Sequence, residues 1–102
     1  MASHLLKWVH YEQDARGRDL ELRYFRDIDG REVDFVVTEH GKPILFVEAK
    51  AAGSAVDPSL RFLKRRFPNV DAWQISAAGK DDYKTPEGIR VAPAIGLLST
   101  LI

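Results

Sequence analysis

The sequence contains no cysteine, which excludes disulfides, thiolate zinc sites and cysteine nucleophiles. It has no net charge either, because fifteen Lys and Arg residues balance fifteen Asp and Glu residues. No global field draws such a chain to a polyanion, and affinity for nucleic acid must come from a local patch. No apolar run is long enough to span a bilayer and there is no signal-peptide h-region, so a membrane partner is not expected and a cytoplasmic location fits. The phosphate-cradling loop Gly-x-x-x-x-Gly-Lys-Ser/Thr is missing, as are internal repeats and low-complexity segments. His4, His10 and His40 lack metal-ligand spacing and read as structural or surface residues. At 102 residues the chain suffices for one small domain, 1–102, with a core modest enough to make a partner surface plausible.

What the chain does have is a clear succession of elements. Ser3 to about Asp14 reads as a helix, with Ser3 as N-cap and Leu5, Trp8, Val9 and Glu12 along one face. Leu20 to Arg26 and Glu32 to Thr38 alternate as strands around Asp29-Gly30, and Ile44 to Lys50 follows as a third strand after His40-Gly41-Lys42. Asp57-Pro58 supplies an N-cap and an N1 proline for a helix that runs to Phe67 before Pro68. Val70 to Ser76 reads as a strand, Ala77 to Gly88 as a polar loop with Tyr83 at the surface, Ile89 to Ala92 as a short strand, and Pro93 to Ile102 as an apolar tail with a last helical turn or two. The fold class is therefore α/β, with a mixed, mostly antiparallel sheet flanked by helices. Trp8 and Trp73 read as core anchors.

Polar residues interrupt two of the apolar strands. Asp34 stands inside Val33-Asp34-Phe35-Val36-Val37, and Glu48-Ala49-Lys50 closes Ile44-Leu45-Phe46-Val47. If the chain reverses symmetrically about Gly41, Asp34 lies opposite Glu48, and strand period puts Lys50 on the same face. Pairing across Asp29-Gly30 sets Phe25 opposite Asp34 and Tyr24 opposite Phe35. One face then carries Leu20, Leu22, Tyr24, Val33, Phe35, Val37, Leu45, Val47 and Ala49, and the other is chemically mixed. Like charges directly opposed on a sheet repel unless a cation sits between them, which a divalent metal would supply. Arg61, Lys64, Arg65 and Arg66 form the one basic cluster, on the second long helix.

Helix, three-stranded meander, helix and strand, with Asp on the second strand and Glu-x-Lys on the third, resemble the PD-(D/E)XK nuclease-like fold with its restriction-endonuclease-like core. More specifically, Leu22-Arg23-Tyr24-Phe25-Arg26-Asp27-Ile28-Asp29-Gly30-Arg31-Glu32-Val33-Asp34-Phe35-Val36-Val37 followed by Phe46-Val47-Glu48-Ala49-Lys50 resembles the C-terminal domain of unknown function of prokaryotic AAA+-type ATPases. The likeness implies Asp34 and Glu48 as acidic metal ligands, the carbonyl of Ala49 as a further ligand, and Lys50 as the amine that orients or activates water. Magnesium or manganese suits such hard oxygen donors. Members of the fold commonly carry another acid on the first helix, expected upstream of Ala2-Ser3-His4, and Glu12 is the nearest substitute within this chain. The chain is thus expected to lack the start of that helix and any ATPase module.

Two functions follow. One is a nuclease-like accessory domain of an ATPase, hydrolysing phosphodiesters of DNA with magnesium, with Asp34, Glu48 and Lys50 catalytic and Arg61, Lys64, Arg65 and Arg66 on nucleic acid. The other is a non-catalytic regulatory or protein-interaction domain, whose partner is an ATPase module or a second copy, and whose Asp34, Glu48 and Lys50 form a structural ion network. The basic cluster has its own alternative as a solvated helix face.

Overall fold

The computed structural model describes residues 2–77 and 80–101; Met1, Ala78 and Gly79 within the expected loop, and Ile102 at the end of the expected tail, lie outside the described residues. Helix α1 covers Ala2–Arg16, one residue earlier than expected, so Ser3 lies inside the first turn and is not its N-cap. Leu5 and Val9 are buried on its inner face, as the helical spacing requires. Gly17, at φ +64°, stops the helix in a left-handed conformation and donates its N–H to the Gln13 carbonyl at 3.1 Å.

Strands β1 (Leu20–Arg26), β2 (Glu32–Glu39) and β3 (Lys42–Ala49) form the meander. His40 and Gly41 both have positive φ, 52° and 79°, so the second hairpin turns on these two residues alone and Lys42 already pairs with Glu39. The expected symmetry about Gly41 fails beside the turn, where Thr38 faces Pro43. Ile44 is then an extra residue, and the expected register returns for Val37 with Leu45, Val36 with Phe46 and Phe35 with Val47.

The first hairpin also departs from a regular ladder. Leu20 to Arg23 pair as expected with Glu39 to Val36, but Phe25 faces Val33 and not Asp34. An extra residue in β2 between Val36 and Val33 accounts for the shift, and it is the feature that matters most for function. Beyond this bulge Val33 changes face. It was expected beside Phe35 and Val37, yet it packs with Val36 and Phe46 on the other side, and Tyr24, expected on the apolar face, is exposed.

Helix α2 (Pro58–Arg66) crosses from β3 to β4 (Asp71–Ser76), which lies parallel to β3; β6 (Ile89–Pro93) is parallel to β4, and the two-residue β5 (Tyr83–Lys84), not expected from the sequence, pairs antiparallel with β6. The sheet order is β1-β2-β3-β4-β6-β5. Helix α3 (Ala94–Leu101) is the expected apolar tail. Leu5, Val9, Leu20, Val37, Leu45, Val47, Trp73, Ile75, Ala92 and Leu97 form the core between the sheet and helices α1 and α3. Val33, Val36, Phe46, Leu60, Leu63, Ala72 and Ile89 form a second core under α2. The face read as chemically mixed is thus apolar where α2 covers it and polar along β1 and near the helix N-terminus. Asp57 caps that terminus, its Oδ1 accepting from the N–H groups of Ser59 and Leu60 at 2.8 and 3.3 Å, with Pro58 at N1.

Phe46 is buried in the second core with its ring 5.9 Å from that of Phe67. Phe46→Ala should lower unfolding free energy by about 3–5 kcal/mol in urea titrations, whereas Ile28→Ala at the exposed hairpin tip should change it by less than about 0.5 kcal/mol.

Candidate functional site

Because of the bulge, Asp34 has no partner on β1, and the β2–β3 ladder ends at Phe35 and Val47. Its backbone N–H turns instead to the Glu48 carboxylate, donating to Oε1 at 2.9 Å. In return, Asp34 Oδ2 accepts the N–H of Ala49 at 3.1 Å. Each acid thus caps the strand that carries the other, and the two carboxylates are drawn together where the ladder stops. Glu48 shares the parity of Phe46 and points to the α2 side, where it is only 6% exposed.

Lys50 continues the same parity just past β3. Its Nζ lies 3.0 Å from Asp57 Oδ2. Asp57 is therefore both the N-cap of α2 and the partner of this amine. Its backbone N–H donates to Gln74 Oε1 at 2.8 Å, and Gln74 Nε2 donates to the Ala55 carbonyl at 3.1 Å. Gln74 is buried on β4, adjacent to Glu48 in the parallel register. Gln74 was not singled out from sequence, and Asp57 was singled out only as the N-cap of α2. A glutamine within the strand Asp71-Ala72-Trp73-Gln74-Ile75-Ser76 is the same kind of signal that drew attention to Asp34.

These contacts set the electrostatics. Burial pushes the Glu48 carboxyl up to about 7; the hydrogen bond from Asp34 N–H opposes this, while the negative charges of Asp34 and Asp57 add to it. Burial also pushes Asp57 up, but hydrogen bonds from Lys50, Leu60 and Ser59 outweigh it and hold the carboxyl below its ordinary value. Lys50 is raised, first by its hydrogen bond to Asp57 and then by that group's charge, with smaller contributions from Glu48 and Asp34. Lys50 is committed to Asp57, so among the described residues no basic side chain is ion-paired with Asp34 or Glu48. That charge pattern fits magnesium or manganese. Among the described residues no three Asp, Glu or His side chains are grouped to hold an ion, so Asp34 and Glu48 would need the Ala49 carbonyl and water to complete a shell.

The other sequence-derived residues lie apart. Glu12 pairs with Arg16 at 3.1 Å and Arg18 at 3.5 Å, and Arg18 also pairs with Glu39 at 2.9 Å beside the opposite hairpin end, so Glu12 does not replace the first-helix acid. The basic cluster is split. Lys64 is buried and its Nζ donates to the carbonyls of Pro68 and Val70 at 2.8 and 2.7 Å, where it ties down the chain after α2. Arg61 pairs with Glu87 at 3.4 Å, whereas Arg65 and Arg66 are exposed. Beside Lys50, a cavity of about 60 Å³ opens between the 51–54 segment, Gln74, Asp81 and Tyr83. It lies at the carboxyl ends of parallel strands β3, β4 and β6, where open α/β sheets generally place ligands.

Fold and site together define an α/β domain with an acid pair and a lysine at the end of its parallel strands. A family model described as Domain of unknown function (DUF4143) matches residues 1–95, and the chain belongs to that family. Comparison with curated proteins and with solved structures yields no match. Among the described residues, no helix is long and apolar enough to cross a membrane.

The raised Glu48 carboxyl has a definite linkage. The folded protein binds this proton more tightly than the unfolded chain, so the stabilisation is complete below 4.5 and is lost as pH rises from there through about 7. Urea titrations of metal-free wild type and Glu48→Gln should diverge over this window by on the order of 2 kcal/mol, with the wild type falling as pH rises.

Proposed function

We propose that this domain is a nuclease-like accessory domain of the PD-(D/E)XK type, attached to or assembled with an ATPase module, and that it hydrolyses phosphodiesters of DNA with magnesium or manganese. The observation that carries this is the crosswise Asp34/Glu48 pair, left without a cation while Lys50 stands beside it. Asp34, Glu48 and the Ala49 carbonyl would hold the ion, which when bound supplies Lewis-acid polarisation of a phosphate oxygen and a more acidic water. Lys50 would place a fixed positive charge beside the non-bridging phosphate oxygens, where negative charge grows as the water oxygen bonds to phosphorus and loses a proton to solvent and the leaving ester oxygen departs and takes one up. Glu48 is buried enough to exchange a proton near neutrality and to give it up when the ion is held. Arg65 and Arg66 are the exposed cations of α2 suited to phosphates outside the reacting centre, while Arg61 would first have to part from Glu87. Lys64 supports the fold in this scheme.

A protein-interaction domain is the second reading, and a specific groove favours it. His4, Lys7, Trp8, Tyr11, Leu98 and Leu101 line a largely apolar cleft between α1 and α3, and the buried Trp8 Nε1 donor has no partner among the described residues. In that case the Asp34/Glu48 pair serves β2 and β3 alone.

Metal and mutation separate the two. Magnesium or manganese should raise the melting temperature above neutral pH in wild type and not in Asp34→Asn or Glu48→Gln. Cleavage of DNA should require metal and fall on the order of 100-fold in Lys50→Ala with affinity little changed. Arg65→Ala with Arg66→Ala should instead weaken binding and flatten its log-log salt dependence by a slope of roughly 2. A protein indifferent to both ions and inert on DNA would leave the interaction domain as the function.

A further inference from the structure

We infer that Asp57 is a positioning residue that keeps Lys50 off the Asp34/Glu48 pair, so that the pair stays open to a divalent cation while the amine remains beside it. The inference rests on the metal-dependent function proposed above and deepens it. Both oxygens of Asp57 are engaged: Oδ1 takes the N–H groups of Ser59 and Leu60, and Oδ2 takes Lys50 Nζ at 3.0 Å. Its backbone is fixed by Gln74, which bonds Asp57 and Ala55 with its two amide ends. The N-terminus of α2 favours a negative charge at this position, so Asp57 is a durable partner for the amine.

The alternative partners for Lys50 are Glu48 and Asp34, whose charges also act on it. Without Asp57 the amine would fall onto that pair and cancel one of its charges. An incoming ion would then have to displace an ammonium, and the amine would be in the metal's place instead of next to it. Lys50 is 39% exposed and carries a long flexible side chain, so its position is not set by packing. The carboxylate of Asp57 sets it.

Asp57→Asn tests this on the full chain because asparagine caps a helix as well as aspartate does, while the charge is removed. Stability should therefore change little. Calorimetric affinity for Mn²⁺ should fall about tenfold, the effect of one added positive charge a few ångströms from the ion. Lys50→Met combined with Asp57→Asn should then bind Mn²⁺ more tightly than Asp57→Asn alone. A double variant no tighter than Asp57→Asn would overturn the proposal, as would an Asp57→Asn protein with unchanged affinity. A second measurement needs neither metal nor activity. In ¹⁵N-edited spectra of the metal-free protein, the Lys50 ammonium signal should persist in Asp34→Asn and shift or vanish in Asp57→Asn. A signal indifferent to Asp57→Asn would refute the assignment. If wild type binds no Mn²⁺, the metal-dependent function fails while this signal still decides the Asp57–Lys50 contact.

Discussion

Two hydrogen bonds, Asp34 N–H to Glu48 and Ala49 N–H to Asp34, carry the end of this sheet. Where a bulge interrupts β2, the half-buried Asp34 N–H would otherwise be left unpaired, at a cost of about 1–3 kcal/mol, and the exposed Ala49 N–H would be left to water. The acids answer that need. The result dissolves the opposition between a structural network and a functional pair, since the same contacts that finish the strands also bring two carboxylates side by side. Structure accounts for their place in the chain. A bulge is a common way to aim a side chain out of a ladder, and here it aims an acid.

Much of this was legible from residue spacing. The turns at Gly41 and Asp29-Gly30 gave the pairing of Val37 with Leu45 and of Leu22 with Val37, and Asp57-Pro58 marked the start of α2 to the residue. The two bulges were not foreseen. The Val33–Phe35 stretch contains no glycine or proline to announce an extra residue, whereas Pro43, directly beside Ile44 in β3, was a signal of the second irregularity that went unused. Once β2 slips by one, Val33 must change face, which no local pattern reveals. The α2 side looked mixed because charged residues outnumber apolar ones along β1, yet Phe46 and Val36 suffice to seat Leu60 and Leu63.

The helix face held a different lesson. Angular position on α2 groups Arg61, Lys64, Arg65 and Arg66, but it is silent about what approaches each one. Lys64 meets the carbonyls of Pro68 and Val70 because the chain folds back beneath the helix end, and an ammonium with three donors suits a cage of carbonyls. A positive residue was read as surface charge when it is a fastening of the loop that feeds β4. Gly88 leans on the same side chain: a Cβ there would come within 3.3 Å of Lys64 Cε.

The sheet's two margins bear on how copies of this domain meet. β1, the longer open edge, is lined with Glu21, Arg23 and Arg26, the first two paired at 2.7 Å, and β5 at the other margin has two residues. Charged, solvated rungs and a truncated strand are poor templates for backbone-to-backbone annealing. Continuous sheets across neighbouring molecules, and the fibrillar deposits that grow from them, are therefore disfavoured by construction. A contact between copies is then left to side chains and not to backbone edges.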